Sequence, residues 1–319
     1  TAPDRAHRAV PDGTAAGIVP LTFGEVPAGF TGATYARFRL STDAAAMNPI
    51  GEASDGEVED YRLSITAPGS GQPKSTVEIN SSTTNGPDLD DIDLFGVSTS
   101  LLGDLDGDGI ADLAVGAAGD GDDRGAVHVL FLNADGSVKS TVEINSSTTN
   151  GPDLNEGDSF GSSVSSLGDL DGDGIIDLAV GAAGHGEGRG AVHVLFLNAD
   201  GSVKETVEIN SSTTNGPDLN EADKFGISVT LLGDLDGDGV TELAVGATDD
   251  DAGGNNRGTV HVLFLNADGS VKSTVEINSI TTNGPDLNVG DDFGSSVTLL
   301  GDLDGDGITE LAVGAAGDG

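Results

Sequence analysis

From residue 95 onward, the chain alternates short apolar stretches with turns rich in glycine and aspartate. In the first such unit the apolar stretches cover residues 95–102, 113–117, 126–132 and 141–145. The third stretch is apolar on both alternations, which indicates a strand covered on both faces. An Asn-Ala-Asp-Gly turn follows it at residues 133–136, and Asp-Gly favours the positive φ of a tight hairpin. The pattern therefore predicts four antiparallel strands per unit.

This unit recurs along the chain. Phe95, Phe160, Phe225 and Phe293 mark successive copies, which are 65, 65 and 68 residues apart. Four strands in a repeat of this length are typical of one blade of a β-propeller. We therefore expect an all-β fold with about four blades of 65–68 residues, each a four-stranded antiparallel sheet, the last one incomplete.

The first part of the chain does not share the repeat. A Pro/Gly/Ser-rich stretch at residues 66–73 predicts a boundary there. We expect a small β-sandwich-like domain at residues 1–70, followed by the repeat domain at residues 71–319.

Each repeat carries an acidic loop of nine residues. In the first copy this loop is DLDGDGIAD, from Asp104 to Asp112. Carboxylates at loop positions 1, 3, 5 and 9, together with the main-chain carbonyl at position 7, can surround one hard cation with oxygen ligands. Without a cation, the crowded aspartates would repel one another. We expect Ca²⁺, about four ions with one per repeat, because so many protein oxygens suit its larger coordination shell better than that of Mg²⁺.

The predicted ligands follow the same order in all four loops. The isoleucine and valine residues among them would contribute their main-chain carbonyl oxygens. They are Asp104, Asp106, Asp108, Ile110 and Asp112; Asp169, Asp171, Asp173, Ile175 and Asp177; Asp234, Asp236, Asp238, Val240 and Glu242; and Asp302, Asp304, Asp306, Ile308 and Glu310.

The sequence after each loop differs from that of an EF-hand. An EF-hand has a bidentate glutamate at position 12 and a helix on each side. Position 12 here is a valine inside the apolar Leu-Ala-Val-Gly-Ala stretch, for example Val115. The pattern therefore predicts a calcium hairpin between two strands.

These motifs resemble a known family. The Phe-Gly pairs, the DxDGDGxx[DE]LAVGA run and the following Gly-x-Val-x-Val strand resemble FG-GAP repeats, the blades of the integrin α-subunit propeller and of many bacterial surface proteins. The resemblance covers residues 74–319 and implies a calcium loop in a hairpin on one rim of the propeller. Propellers of this family usually close with seven blades, whereas about four copies are present here.

A second resemblance lies in the first domain. Residues 56–61, Gly-Glu-Val-Glu-Asp-Tyr, resemble the signature of the GEVED domain, a β-rich module of secreted bacterial proteins. The resemblance implies a GEVED-like β domain at residues 1–70 and a bacterial protein outside the cell.

Composition narrows the classes of function. A formal net charge of -41 would repel phosphate backbones and anionic membranes, so we expect no nucleic acid partner. The apolar runs are too short for a membrane span, so we expect no membrane insertion. Cysteine is absent, which excludes thiolate metal sites, and no nucleophile has a nearby histidine and acid. We therefore expect no catalytic residues and no enzymatic activity.

Weaker signals remain. Three histidines recur at one strand position and are expected to be structural, because a ring of blades would hold them too far apart to share zinc: His128, His193 and His261. Three asparagines begin Asn-Ser-Ser glycosylation acceptors: Asn80, Asn145 and Asn210. Further acids of the second repeat are expected to lie in a solvated loop: Asp153, Glu156 and Asp158.

Three functions fit these features. The first is a calcium-stiffened adhesion or ligand-binding propeller, secreted or on the cell surface, with a protein or glycan as its partner. The second is a structural protomer whose repeats assemble with copies of themselves into an extracellular filament. The third is an ancillary domain of a secreted hydrolase.

Overall fold

In the computed structural model, the described residues are 75–305 and 308–317, together with the strands Gly32–Arg39 (β1) and Val58–Ile65 (β2). The chain divides into two compact units, Thr1–Ile79 and Asn80–Gly319. Within the described ranges, no helix is long and apolar enough to cross a membrane.

The described residues of the first unit form an antiparallel strand pair. β1 and β2 pair so that Gly32 lies opposite Ile65 and Arg37 lies opposite Asp60. Gly56 and Glu57 of the GEVED-like signature lie outside the described residues. The β-sandwich-like fold and the GEVED assignment stay predictions.

The second unit is built from antiparallel sheets in which strand order follows the sequence. Among the described residues, three of these sheets have four strands each, and a fourth has two. This confirms the predicted all-β fold and the four-stranded blades. The first blade is β3 (Phe95–Gly103), β4 (Asp112–Ala117), β5 (Ala126–Leu132) and β6 (Val138–Ile144); the second is β7 (Phe160–Gly168), β8 (Asp177–Ala182), β9 (Ala191–Leu197) and β10 (Val203–Ile209); the third is β11 (Ser228–Gly233), β12 (Glu242–Ala247), β13 (Thr259–Leu265) and β14 (Val271–Ile277); the fourth is β15 (Phe293–Gly301) and β16 (Glu310–Ala315).

The connections within a blade are short. Helical turns α1 (Asp120–Asp123) and α2 (His185–Gly188) join the second and third strands of the first two blades. The fourth strand begins at Val138, three residues before the sequence pattern placed it. The cause is the tight preceding turn, where the Asn133 N–H donates to the Ser137 carbonyl at 2.9 Å. Gly136 has a φ of 86° there, as the Asp-Gly pair predicted.

Consecutive blades pack face to face. The first strands β3, β7, β11 and β15 lie next to one another in that order. Between the first two blades, Val127, Val129 and Phe131 of β5 share one buried cluster with Leu178 and Val180 of β8. Equivalent clusters join the second blade to the third and the third to the fourth. The third strand β9 contributes residues to the clusters on both of its faces, so a neighbouring blade on each side explains its double-faced apolar pattern.

Two glycines of the repeat motif permit this close packing. A Cβ added to Gly116 of β4 would overlap the carbonyl oxygen of Gly161, the glycine of the next blade's Phe-Gly pair. Gly161 has a φ of 88°, which favours glycine as well. Its carbonyl accepts a hydrogen bond from the Ser98 hydroxyl at 2.7 Å. The Phe-Gly and Val-Gly-Ala motifs therefore form one contact between adjacent blades.

Candidate metal centres

Each acidic loop joins the first strand of a blade to the second, and we call residues 104–112, 169–177, 234–242 and 302–310 the ion loops. In the first, Gly109 at position 6 has a φ of 89°, and a Cβ there would meet nothing within 4 Å. The left-handed conformation, and not lack of space, therefore requires glycine. The turn brings loop positions 1, 3 and 5 together.

Backbone N–H groups orient the three leading aspartates of the first loop. Asp104 Oδ2 accepts from Gly109 N at 2.9 Å, and Asp106 Oδ1 accepts from Asp108 N at 3.1 Å. Asp108 Oδ1 accepts from Ile110 N at 2.9 Å. The second loop repeats these bonds at 2.9, 3.1 and 2.9 Å. One oxygen of each of these carboxylates thus accepts a backbone hydrogen bond that shapes the loop. The second oxygen takes no part in these bonds.

The carboxylates converge in all four ion loops. In each loop, three of them offer ligand oxygens that lie within 4.8 Å of one another. These groups are Asp104, Asp106 and Asp108; Asp169, Asp171 and Asp177; Asp234, Asp236 and Asp238; and Asp302, Asp304 and Glu310.

A lysine ammonium contacts the loop in each of the first three blades. In the first, Lys139 of β6 donates to Asp106 Oδ2 and Asp108 Oδ2, both at 2.5 Å. Lys204 and Lys272 make the same pair of contacts in the next two blades, at 2.5–2.6 and 2.5–2.7 Å. The hydrogen bond from Lys139, followed by that from Ile110 N, lowers the pKa of Asp108 below its ordinary value. A positive group therefore sits at the point to which two carboxylates are directed.

In the first three blades, the acid at position 9 is buried at the start of the second strand. Asp112 accepts from Leu105 N through Oδ2 and from Leu132 N through Oδ1, both at 3.0 Å. Asp177 makes the equivalent bonds, and burial, followed by the nearby Asp171 and Asp173 charges, raises its pKa to about 6. These carboxyls therefore join the ion loop, through Leu105 and its equivalent Leu170, to the start of the second strand and to the third strand of the blade.

The third loop differs at this position. Glu242 is fully buried, and its Oε2 accepts from Leu235 N at 2.5 Å. Its Oε1 is buried without a hydrogen-bond partner among the described residues. A buried carboxylate oxygen without a donor is destabilising, so a cation beside it would compensate the cost.

The residues present fit a hard divalent cation. The possible ligands are carboxylate oxygens, which hard cations prefer, and they lie close together in each loop. In the first loop, the Lys139 ammonium group contacts two of these carboxylates. In the third loop, one buried oxygen of Glu242 has no hydrogen-bond partner among the described residues. The carbonyl ligands Ile110, Ile175, Val240 and Ile308 stay predictions, and Asp306 lies outside the described residues.

The repeated histidines lie in their own blades. His128 and His193 are fully buried, and their rings stand edge-on to Phe95 and Phe160 with centroids 5.5 and 5.3 Å apart. Burial lowers the pKa of both to about 4. They are therefore neutral at ordinary pH.

The glycosylation acceptors lie at turns. The Oδ1 atoms of Asn80, Asn145 and Asn210 accept from the N–H two residues later at 2.8–2.9 Å. Nδ2 of Asn145 donates to Glu143, and Nδ2 of Asn210 donates to Glu208. Glycan attachment stays a prediction.

A second acidic site, at the opposite end of the strands, was not anticipated from the sequence. Asp158 was expected in solvent, but it is buried, and its Oδ2 lies 3.2 Å from His185 Nδ1. His185 Nε2 lies 3.2 Å from Glu208 Oε1. The bond to Glu208, followed by that to Asp158, raises the pKa of His185 to about 9. We call Asp158, His185 and Glu208 the distal cluster of the second blade.

The first blade has a different residue at the centre of this cluster. Its distal cluster is Asp93, Asp120 and Glu143, where Asp120 replaces the histidine. Burial, followed by the charges of Glu143, Asp93 and Asp90, raises the pKa of Asp120 to about 6. The sequence signal that could have revealed the cluster is an aspartate two residues before each Phe-Gly pair, which is buried in all four repeats.

Comparison with known proteins shows what the repeats are similar to. The FG-GAP repeat family matches residues 95–130, 160–195, 225–263 and 293–319. Each match begins at the phenylalanine of a Phe-Gly pair and includes an ion loop. Residues 95–319 therefore contain four FG-GAP repeats, which are similar to those of integrin α chains.

Several integrin α chains match parts of this FG-GAP protein. Integrin alpha-PS5 of Drosophila melanogaster is 36% identical over 157 residues, which cover 48% of this chain and 15% of the relative. Integrin alpha-5 of Xenopus laevis is 33% identical over 221 residues, covering 62% of this chain and 19% of the relative. Integrin alpha-M of Mus musculus is 39% identical over 92 residues, covering 28% and 8%. The FG-GAP protein thus spans less than a fifth of the length of these relatives.

Proposed function

We propose that this chain is a non-catalytic binding scaffold that acts outside the cell and takes up one Ca²⁺ ion in each ion loop. The observation that carries the proposal is the convergence of three carboxylates within 4.8 Å in every repeat, at the same place in the blade. Calcium supplies positive charge and up to eight coordination positions at such a site. The chain's own residues orient the carboxylates through backbone N–H groups and join the loop to three strands.

The ion loops would stiffen one rim of the blade array. Each connects the first two strands, and the position 9 acid also accepts from the third strand, as Asp112 does from Leu132. A cation held by the leading aspartates would therefore immobilise loops that otherwise carry several like charges. Rigid loops at a rim are suited to binding a partner, because less conformational entropy is lost on association.

The proposed partner is a protein or a glycan. The integrin α relatives support an extracellular setting, and the GEVED-like signature supports a bacterial surface or secreted protein. Surface plasmon resonance against extracellular-matrix proteins and a glycan array, each run with calcium and with chelator, tests this proposal. Calcium-dependent binding to one class supports it, and binding of equal strength in chelator contradicts the role of the ion loops.

A second candidate function is self-assembly, favoured by the near-identity of the repeats. The stretch Ser-Ser-Thr-Thr-Asn-Gly-Pro-Asp-Leu recurs unchanged at residues 81–89, 146–154 and 211–219. Repeats this similar would present the same surfaces to copies of themselves. Electron microscopy with light scattering separates the two functions: discrete particles support the scaffold, and threads that lengthen with concentration support a filament.

A further inference from the structure

The lysine on the fourth strand of each complete blade contacts the same oxygens that a loop cation would need. In the first ion loop, Asp106 Oδ1 and Asp108 Oδ1 accept backbone N–H groups. Their Oδ2 atoms are therefore the oxygens available to a cation, and Lys139 Nζ lies 2.5 Å from both. Calcium binds carboxylate oxygens at about 2.3–2.6 Å. The ammonium and the ion would thus occupy the same coordination shell.

The arrangement recurs three times with little variation. Lys204 lies 2.5 and 2.6 Å from Asp171 and Asp173, and Lys272 lies 2.5 and 2.7 Å from Asp236 and Asp238. Each lysine is the second residue of its strand, directly after the tight hairpin turn. The turn fixes where the lysine emerges, so its reach to the loop is set by the blade itself.

The three lysine side chains are partly exposed to solvent. They are 39–41% exposed, so water can replace the carboxylates as hydrogen-bond partners of the ammonium groups. An ammonium ion can therefore leave the loop at modest cost when a divalent cation arrives. It can also return when the cation dissociates.

We propose that Lys139, Lys204 and Lys272 are tethered competitors for the loop cation, which hold the two central carboxylates together without it and lower the affinity of the loop for it. This role rests on the proposed calcium binding and identifies the residues that limit the calcium affinity of the loops. A unit charge at the coordination shell, which must be displaced before binding, reduces affinity for a divalent ion. These three loops would then become half-occupied at a higher calcium concentration than loops with the same carboxylates and no lysine.

The test compares calcium binding by the full chain and by the K139M/K204M/K272M variant, using isothermal titration after dialysis against chelator. Methionine keeps the length and apolar stem of lysine and removes its charge. We expect the dissociation constant of these three loops to fall roughly tenfold, since a like charge is removed from the site. An unchanged or larger dissociation constant overturns the proposal.

Two matched variants separate the local effect from the change in net charge. K224M removes one positive charge from Lys224, which pairs with Asp249 at 2.9 Å and contacts no ion loop among the described residues. We expect wild-type calcium affinity from it, and a comparable gain in affinity would overturn the proposal. K139R/K204R/K272R keeps the charge and is expected to keep the low affinity; tight binding by this variant would also contradict competition by charge.

A second measurement follows the role of the lysines without calcium. In chelator, K139M is expected to melt at a lower temperature than K224M, because its loop loses the only positive group in contact with Asp106 and Asp108 among the described residues. Equal melting temperatures contradict that role. Absence of binding in both would overturn the proposed function, whereas binding of equal strength in both would overturn only this inference.

Discussion

The two ends of each blade both gather carboxylates, but they differ in what balances the charge. At one end, the ion loop has three leading aspartates at the same positions in every repeat, and those of the first loop are oriented by backbone N–H groups and exposed to solvent. At the other end, the distal cluster is half-buried and varies: His185 lies between two acids in the second blade, and Asp120 takes its place in the first. The ion loop suits an exchangeable cation from solution in place of its lysine, whereas the distal cluster holds a histidine between two acids in the second blade and a third acid in the first.

This difference has an energetic consequence. A residue such as His185 contributes its charge under all conditions in which it is protonated. A cation from solution contributes only in proportion to its concentration and affinity. Removal of calcium should therefore affect the loop end, whereas the distal end should not respond to calcium.

Removal of calcium is expected to have the largest effect. At a calcium concentration 100 times the dissociation constant, each occupied site contributes about 2.7 kcal/mol to the free energy of unfolding. Several sites acting together should raise the melting temperature by roughly 10 °C or more. Calorimetry with calcium and with chelator measures the shift, and magnesium at the same concentration serves as the control. Identical melting curves in calcium and chelator contradict the metal assignment.

The next largest effect is expected from H185D at the distal end of the second blade. This change places three acids together and removes the group that contacts Asp158 and Glu208 at 3.2 Å. The loss of a buried ionic partner should lower the free energy of unfolding by about 3 kcal/mol at pH 7. Urea unfolding in saturating calcium keeps the ion loops constant. H185N removes the charge without adding another, so its free energy of unfolding should lie between those of the wild type and H185D. A free energy of unfolding of H185D equal to that of the wild type would contradict the role of the cluster.

Removal of the Asp120 charge in the first blade should stabilise the folded protein. The folded protein raises the pKa of Asp120 to about 6, so its ionised form costs folding free energy above that pH. D120N removes the cost and should raise the free energy of unfolding by about 1–2 kcal/mol at pH 7.5. The gain should vanish as the pH falls from 6 toward 4, where the wild-type carboxyl takes up a proton. A gain that does not depend on pH would show that charge at Asp120 is not its cause.

The smallest effect is a dependence on alkaline pH at the second blade. His185 has a pKa of about 9 in the folded protein, above its ordinary value of 6.5, because it faces Glu208 of β10 and Asp158 before β7, with neutral His193 of β9 beside it. Its contribution is therefore fully present below pH 6.5 and is lost as pH rises through 9. The stability difference between wild type and H185N should shrink over this window. A stability difference that does not change with pH would show that His185 stabilises the protein through packing and not through its charge.

The sequence was sufficient for the parts of the molecule that depend on local pattern. The period of 65–68 residues predicted the blades, and the alternation in residues 126–132 predicted a strand covered on both faces. The Asp-Gly turn at residues 135–136 was predicted as well, although the following strand begins earlier than expected. These features depend on residues that are near one another in the chain.

The contacts that the sequence did not reveal join distant residues. Lys139 lies 31–33 residues from the aspartates that it contacts, and nothing in its own stretch indicates a partner. Asp158 follows other acids in a polar segment, so its sequence context favoured a solvated loop, although the fold buries it beside His185. Only the pairing of the strands brings such residues together.

The most direct measurement is the number of calcium ions that the chain binds, determined by isothermal titration of the wild type and of a D106N/D108N variant. The variant removes two carboxylate charges from the first ion loop and leaves the other three loops intact. The predicted result is about one ion per loop in the wild type and one ion fewer in the variant. Failure of the wild type to bind calcium, or an unchanged number of ions in the variant, would contradict the account.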